Sequence, residues 1–144
     1  MSRLLAPNPG EATDRQTILE LKAEHGQKLA QLKDGTSAID VSHFLDEHRS
    51  IQKYLEVNWF LLVKKDVQPK FNEYVGQLKA VNRKLWQLED KIRDLKTGKL
   101  NSSNQLEDIR DTAFEIVEMN DIRARLVVQV NQLFGISTKE KFYV

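Results

Sequence analysis

Apolar side chains recur at alternating steps of three and four along two long stretches of the chain. Phe71, Tyr74, Leu78, Val81, Leu85, Leu88, Ile92 and Leu95 form the first run. Leu106, Ile109, Ala113, Ile116, Asn120, Arg123, Val127, Val130 and Phe134 form the second. That spacing keeps one stripe of a helix turned toward a partner helix. Pro69 suits the first turn of a helix, and Gly135 suits the end of one. The short link Thr97-Gly98-Lys99-Leu100-Asn101-Ser102, with Ser102 or Ser103 as a cap, leaves room only for a reversal, which predicts a long antiparallel hairpin over residues 67–134. With the turn near residue 100, facing residue numbers add to about 201. Asn120 and Arg123 are the two polar interruptions of the seam.

Two shorter helices precede the hairpin. Pro7, Pro9 and Gly10 make residues 1–9 an extended arm. Thr13 or Asp14 then caps a helix carrying Ile18, Leu21, Leu29 and Leu32, and Lys33-Asp34-Gly35 stops it. A second helix starts near Asp40 or Ser42 and runs to Lys64 or Lys65, with Val41, Phe44, His48, Ile51, Leu55, Asn58 and Leu62 at helical spacing. The expected architecture is therefore all-α: one domain over residues 1–144, a four-helix bundle-like fold built on the hairpin. Trp59-Phe60-Leu61-Leu62 is apolar on every side of its helix, so it needs cover from the core or from a homodimer or protein partner.

Charge narrows the field of partners. Lys and Arg number 22 against 21 Asp and Glu, a net charge of +1, so no overall field draws nucleic acid or a membrane surface. No stretch approaches the roughly 20 apolar residues of a membrane span. The first residues lack the apolar segment of a signal peptide, and the chain has no cysteine; both fit a cytoplasmic protein.

Candidate chemistry is confined to polar residues beside the seam. Asn82, Trp86, Glu89 and Arg93 share one flank of the third helix, and Asn120, Asp121 and Arg123 lie on the opposing helix, with Asn82 expected to reach Asn120. Such groups either satisfy one another and fix the register, or line a pocket in which an arginine binds a small anionic ligand and Trp86 supplies a stacking face. Glu115, Glu118 and Asp121 share a helix face, but no second acidic helix completes a magnesium site. His43 and His48 are five residues apart, off-face for joint metal ligation, and His25 stands by itself. No nucleophile motif or phosphate loop is present. The expectation is a protein with no catalytic residues, no metal and no cofactor: a non-enzymatic interaction or accessory module, or else a binder of, or enzyme acting on, a phosphorylated or nucleotide-sugar compound.

Three segments carry a resemblance. Gly10-Glu11-Ala12-Thr13-Asp14-Arg15-Gln16-Thr17-Ile18-Leu19-Glu20-Leu21-Lys22, then Val81-Asn82-Arg83-Lys84-Leu85-Trp86-Gln87-Leu88-Glu89-Asp90-Lys91-Ile92-Arg93, and Asn120-Asp121-Ile122-Arg123-Ala124 with Val130-Asn131 resemble the motifs of a bacterial and phage family of small helical proteins of unknown function. Glu140-Lys141-Phe142-Tyr143 resembles its tail. The resemblance covers about half the chain and does not extend through residues 35–66. It marks Asp14, Thr17, Glu20, Lys22, Asn82, Trp86, Glu89, Asp90, Arg93, Asn120, Asp121, Arg123 and Asn131 as motif positions, and implies a shared network if their helices pack together, with Glu20 meeting Arg93 or Arg123. It brings no activity with it.

Overall fold

The computed structural model describes residues 8–32, 41–59 and 65–136, without the side chains of residues 29–32 and 65. Helix α1 spans Pro9–Leu32 and α2 spans Ser42–Asn58. A 3-10 turn, Lys65–Val67, leads into α3, Gln68–Thr97, and α4 spans Gln105–Leu133. The described residues form no strand.

Helices α3 and α4 pair as an antiparallel hairpin. Gly98 at φ 81° turns the chain after α3, and Gly135 at φ 76° follows α4; both sit in the left-handed region that glycine enters without steric cost. At the tip, the side-chain amide of Gln105 donates to the carbonyl of Leu95. At the base, the rings of Phe71 and Phe134 meet edge to face at 5.9 Å. Between them Leu78 and Val130 are wholly buried, and with Phe71, Leu126 and Phe134 they form the core. The contact at the tip matches the expected register, whereas at the base Phe71 meets Phe134, one helical turn beyond the expected Val130.

The seam of α4 departs from the expected heptads toward the tip. Thr112 is buried there instead of Ala113, its hydroxyl donating to the carbonyl of Asp108 at 2.7 Å. Leu106 is 85% exposed, and Asn120 is exposed as well. A straight α-helix drifts by about 20° per heptad against a strict seven-residue repeat. Counting back four heptads from Phe134 to Leu106 therefore rotates the expected seam by roughly 80° away from α3.

Helix α1 begins earlier than its polar residues suggest. Asn8 is the cap, accepting from the N–H of Glu11 at 2.9 Å, and Pro9 takes the first helical position. Residues 1–7 of the expected arm lie outside the described residues. Thr13 and Asp14, expected as caps, are buried inside the helix. The helix crosses α4 at Gly10, where any Cβ would collide with the carbonyl of Val127 and come within 2.9 Å of its side chain. Farther on, α1 lies along α3, with Glu24 paired to Lys79 at 2.7 Å and to Arg83 at 3.1 Å.

The outer layer is α2, which packs on α1. Leu55 is wholly buried, and the polar interruption His48 faces Glu20 at 3.6 Å. Arg15 pairs with Glu47 at 2.7 Å, and Gln16 donates to Gln52 at 3.0 Å. Trp59, just past α2, is packed into the core against Phe134 at 6.0 Å, while Phe60, Leu61 and Leu62 lie outside the described residues. Helix α1 is thus covered by α2 on one side and by the hairpin on the other, as is reflected in its buried Ala12, Leu19, Leu21 and Ala23.

The ionic contacts of α1 make the assembly sensitive to acid. Hydrogen bonds from Lys79 to Glu24 and from Arg15 to Glu47 hold both carboxyls below the ordinary glutamate value of 4.5, and both cations are raised in return. The stabilisation is complete above that value and is lost as pH falls through the lowered ones, because the unfolded chain then binds protons the native state excludes. The Arg15–Glu47 pair is exposed and the Lys79–Glu24 pair partly so, and solvent screening keeps each contribution under about 1 kcal/mol. The urea midpoint is expected to fall between pH 7 and pH 3, by less in Glu24→Gln than in the wild type.

Candidate functional site: a saturated polar node beside an open cleft

Four side chains from three helices meet where α1 crosses the hairpin. The carboxylate of Asp14 accepts from Arg123 side-on, at 3.0 Å from Nε to each oxygen and 2.5 Å from Nη2 to Oδ2. The amide of Asn82 donates to Asp14 Oδ1 and to Thr17 Oγ1, both at 2.8 Å. The Thr17 hydroxyl in turn donates to the backbone carbonyl of Asp14 at 2.7 Å, closing the ring of contacts. Asn82 is 5% exposed and Thr17 fully buried. One turn toward the start of α1, the N–H of Gly10 donates to Asn131 Oδ1 at 2.7 Å. These bonds tie α1 to α3 and α4 at fixed heights along the bundle.

The node is chemically occupied. Both oxygens of Asp14 are taken, and the guanidinium that was expected to hold an anion is bound edge-on to a carboxylate. Such paired, hydrogen-bonded charges are stable where an unpaired one would carry a desolvation cost of several kcal/mol.

Beside the node an open cleft of about 250 Å³ runs between α1 and α3. Ile18 and Leu21 line one side, and Asn82, Leu85, Trp86, Glu89 and Arg93 the other, with Lys22, Asp90 and Arg123 completing it. The indole of Trp86 is half-buried, with His25 at 5.0 Å from its far flank. Arg93 is exposed and bonded to Asp90 one turn back, at 2.9 Å. The cleft thus offers an aromatic and aliphatic floor with a mixed rim of three cations and two carboxylates.

The structure brings together Asn82, Trp86, Glu89, Arg93 and Arg123 of the expected site and separates the rest. Asn82 does not meet Asn120, which is exposed on α4 because the seam has rotated past it. Asp121 is exposed; among its contacts, its backbone carbonyl lies 3.4 Å from Arg125 Nε. Glu20 turns away from both arginines and lies between His48 and Lys79, at 3.6 Å from each. Glu115 is half-buried and Glu118 exposed, and among the described residues no three metal-ligating side chains converge. No helix among those residues is long and apolar enough to cross a membrane. Asp14 and Thr17 stand in the sequence as motif positions, yet their partner role is hidden, because nothing local says that Thr13-Asp14-Arg15-Gln16-Thr17 is buried from two sides.

Comparison with protein-family models, with curated proteins and with solved structures gives no match.

Removing Arg123 leaves the 11%-exposed carboxylate of Asp14 with a neutral partner only. Arg123→Ala is expected to cost about 2–3 kcal/mol, read as a fall in Tm of roughly 5–10 °C for a chain of this size. Arg123→Lys should recover less than half of that loss, since an ammonium cannot reproduce the side-on pair.

Proposed function

We propose that this protein is a non-enzymatic helical interaction module whose working surface is the outer face of α4. One observation carries that reading: Leu106, Phe114 and Val117 are 85%, 62% and 57% exposed along one side of a helix, while polar Asp14, Thr17 and Asn82 are buried between helices. Exposed apolar residues scattered singly are ordinary, but a row at helical spacing marks a surface that is covered in use. The pairing of Arg123 with Asp14 supports the same reading, because the charge an anion would seek is already met by a carboxylate.

The cleft supports a second reading. Trp86 with Arg93 and Lys22 offers a stacking face beside two cations, a setting suited to a small ring that bears a phosphate or carboxylate. Quenching of Trp86 fluorescence by a nucleoside diphosphate, lost in Arg93→Ala, would favour that reading over the first.

The interaction reading is tested by placing a photo-activated cross-linking residue at position 114, and as a control at the exposed Lys84 of α3, in cells that natively express the protein. Covalent adducts from position 114 and not from position 84 are the expected result. Equal yields from both positions, or none from 114, would overturn it.

A further inference from the structure

The exposed side of α4 has a pattern that depends on direction. At roughly 100° per residue, Arg110, Phe114, Val117 and Asp121 fall within one narrow sector, with Leu106 and Arg125 at its edges. All six are exposed, and the buried Thr112, Leu126 and Val130 lie on the opposite side of the helix. The sequence of chemistry along it is cationic, apolar, apolar, anionic, with Arg110 about four residues before the apolar pair and Asp121 the same distance after it.

Resting on the interaction reading above, we infer that the occupant of this face is a second copy of the chain, bound through an antiparallel two-fold pairing of α4 with its counterpart. A two-fold axis crossing the helix between Phe114 and Val117 gives residue numbers across the pair that add to about 231. Phe114 of each copy then lies on Val117 of the other. Arg110 meets Asp121 twice, once on each side of the apolar centre. Leu106 lies against the aliphatic stem of Arg125, which can cover it while its guanidinium stays in water.

Charge fixes both the direction and the kind of partner. Pairing two copies in parallel places Arg110 beside Arg110 and Asp121 beside Asp121, which is repulsive at both ends. The antiparallel arrangement turns both contacts attractive, and an isologous interface needs this self-complementarity. Within one chain Arg110 and Asp121 are eleven residues apart, about 16 Å along the helix, so they cannot pair with each other. Among the described residues, Arg110 makes loose contacts in its own helix, at 3.9 Å to Glu107 and 3.7 Å to Asp111. This surface is separate from the Trp59 segment, of which Trp59 is partly buried against the core cluster and Phe60, Leu61 and Leu62 lie outside the described residues.

The test is sedimentation velocity of defined variants in solution, across roughly a hundredfold range of protein concentration. The wild type is expected to shift from monomer to dimer as concentration rises. Arg110→Asp and Asp121→Arg are each expected to weaken dimerisation at least tenfold, because each sets two like charges face to face at both ends. The double variant carrying both reversals should restore it to within about threefold of the wild type, by recreating the same two pairs in reverse. Circular dichroism of each variant checks that the fold is intact, and Phe114→Gln supplies an uncharged disruption of the centre. A wild type that stays monomeric throughout, or a dimer indifferent to Arg110, Phe114 and Asp121, would overturn the inference. A cross-link from position 114 to a different protein, with a monomeric wild type, would overturn self-pairing and leave the interaction reading standing.

Discussion

Everything in this bundle hangs on how α1 is held, because it lies between α2 and the hairpin and buries polar Thr13, Asp14, Gln16 and Thr17 beside apolar Ala12, Leu19, Leu21 and Ala23. The hairpin of α3 and α4 carries the aromatic and aliphatic core itself, through Phe71, Leu78, Leu126, Val130 and Phe134. Helix α1 buries Ala12, Leu19, Leu21 and Ala23 but adds no side chain to that cluster. It is located by the Asp14 carboxylate between Arg123 and Asn82, by the Gly10 N–H on Asn131, and by the close approach of backbone at Gly10 to Val127. Directional bonds of this kind define height and rotation where apolar contact tolerates sliding. Helix α2 comes last in the order of dependence, since it packs on α1.

That hierarchy accounts for what was legible in the sequence. The hairpin was legible because its apolar repeat is long, its turn is marked by Gly98 and its end by Gly135, and both signals are local. The rotation of its outer half was not, because the strict repeat from Phe134 to Leu106 reads as continuous while the helix turns steadily out of register with it. Helix α1 was legible as a helix but misread at its start, where Asn8-Pro9 caps and opens it and Asp14 is freed for the node. A search for a single apolar stripe cannot find a helix whose two faces are buried in different ways. Of the site, Asn82, Trp86, Glu89 and Arg93 were legible as one flank, since four residues at steps of four and three must share a face. Their partners were not, because Asp14 and Thr17 lie some 65 to 109 residues from the side chains they bind.

The distribution of polarity has a functional sense. Polar groups are sequestered inside, where they fix one arrangement of three helices, and apolar side chains are left outside on α4. On the proposed reading, α1 bonds to both α3 and α4 through Asp14 and so steadies the hairpin that presents the outer face of α4. Presentation of a straight helix face suits recognition of another helix, since ordering the surface beforehand lowers what binding must overcome.

Hydrogen exchange of Asp14→Ala against the wild type tests the dependence of the bundle on this node most directly. Loss of the node is expected to lower amide protection in α1 and α2 together, while the segments around Leu78 and Val130 keep theirs, because those residues lie in a core that α1 does not build. A uniform loss of protection over all four helices, or no loss in α1, would contradict the claim that Asp14 fastens α1 to an independently packed hairpin.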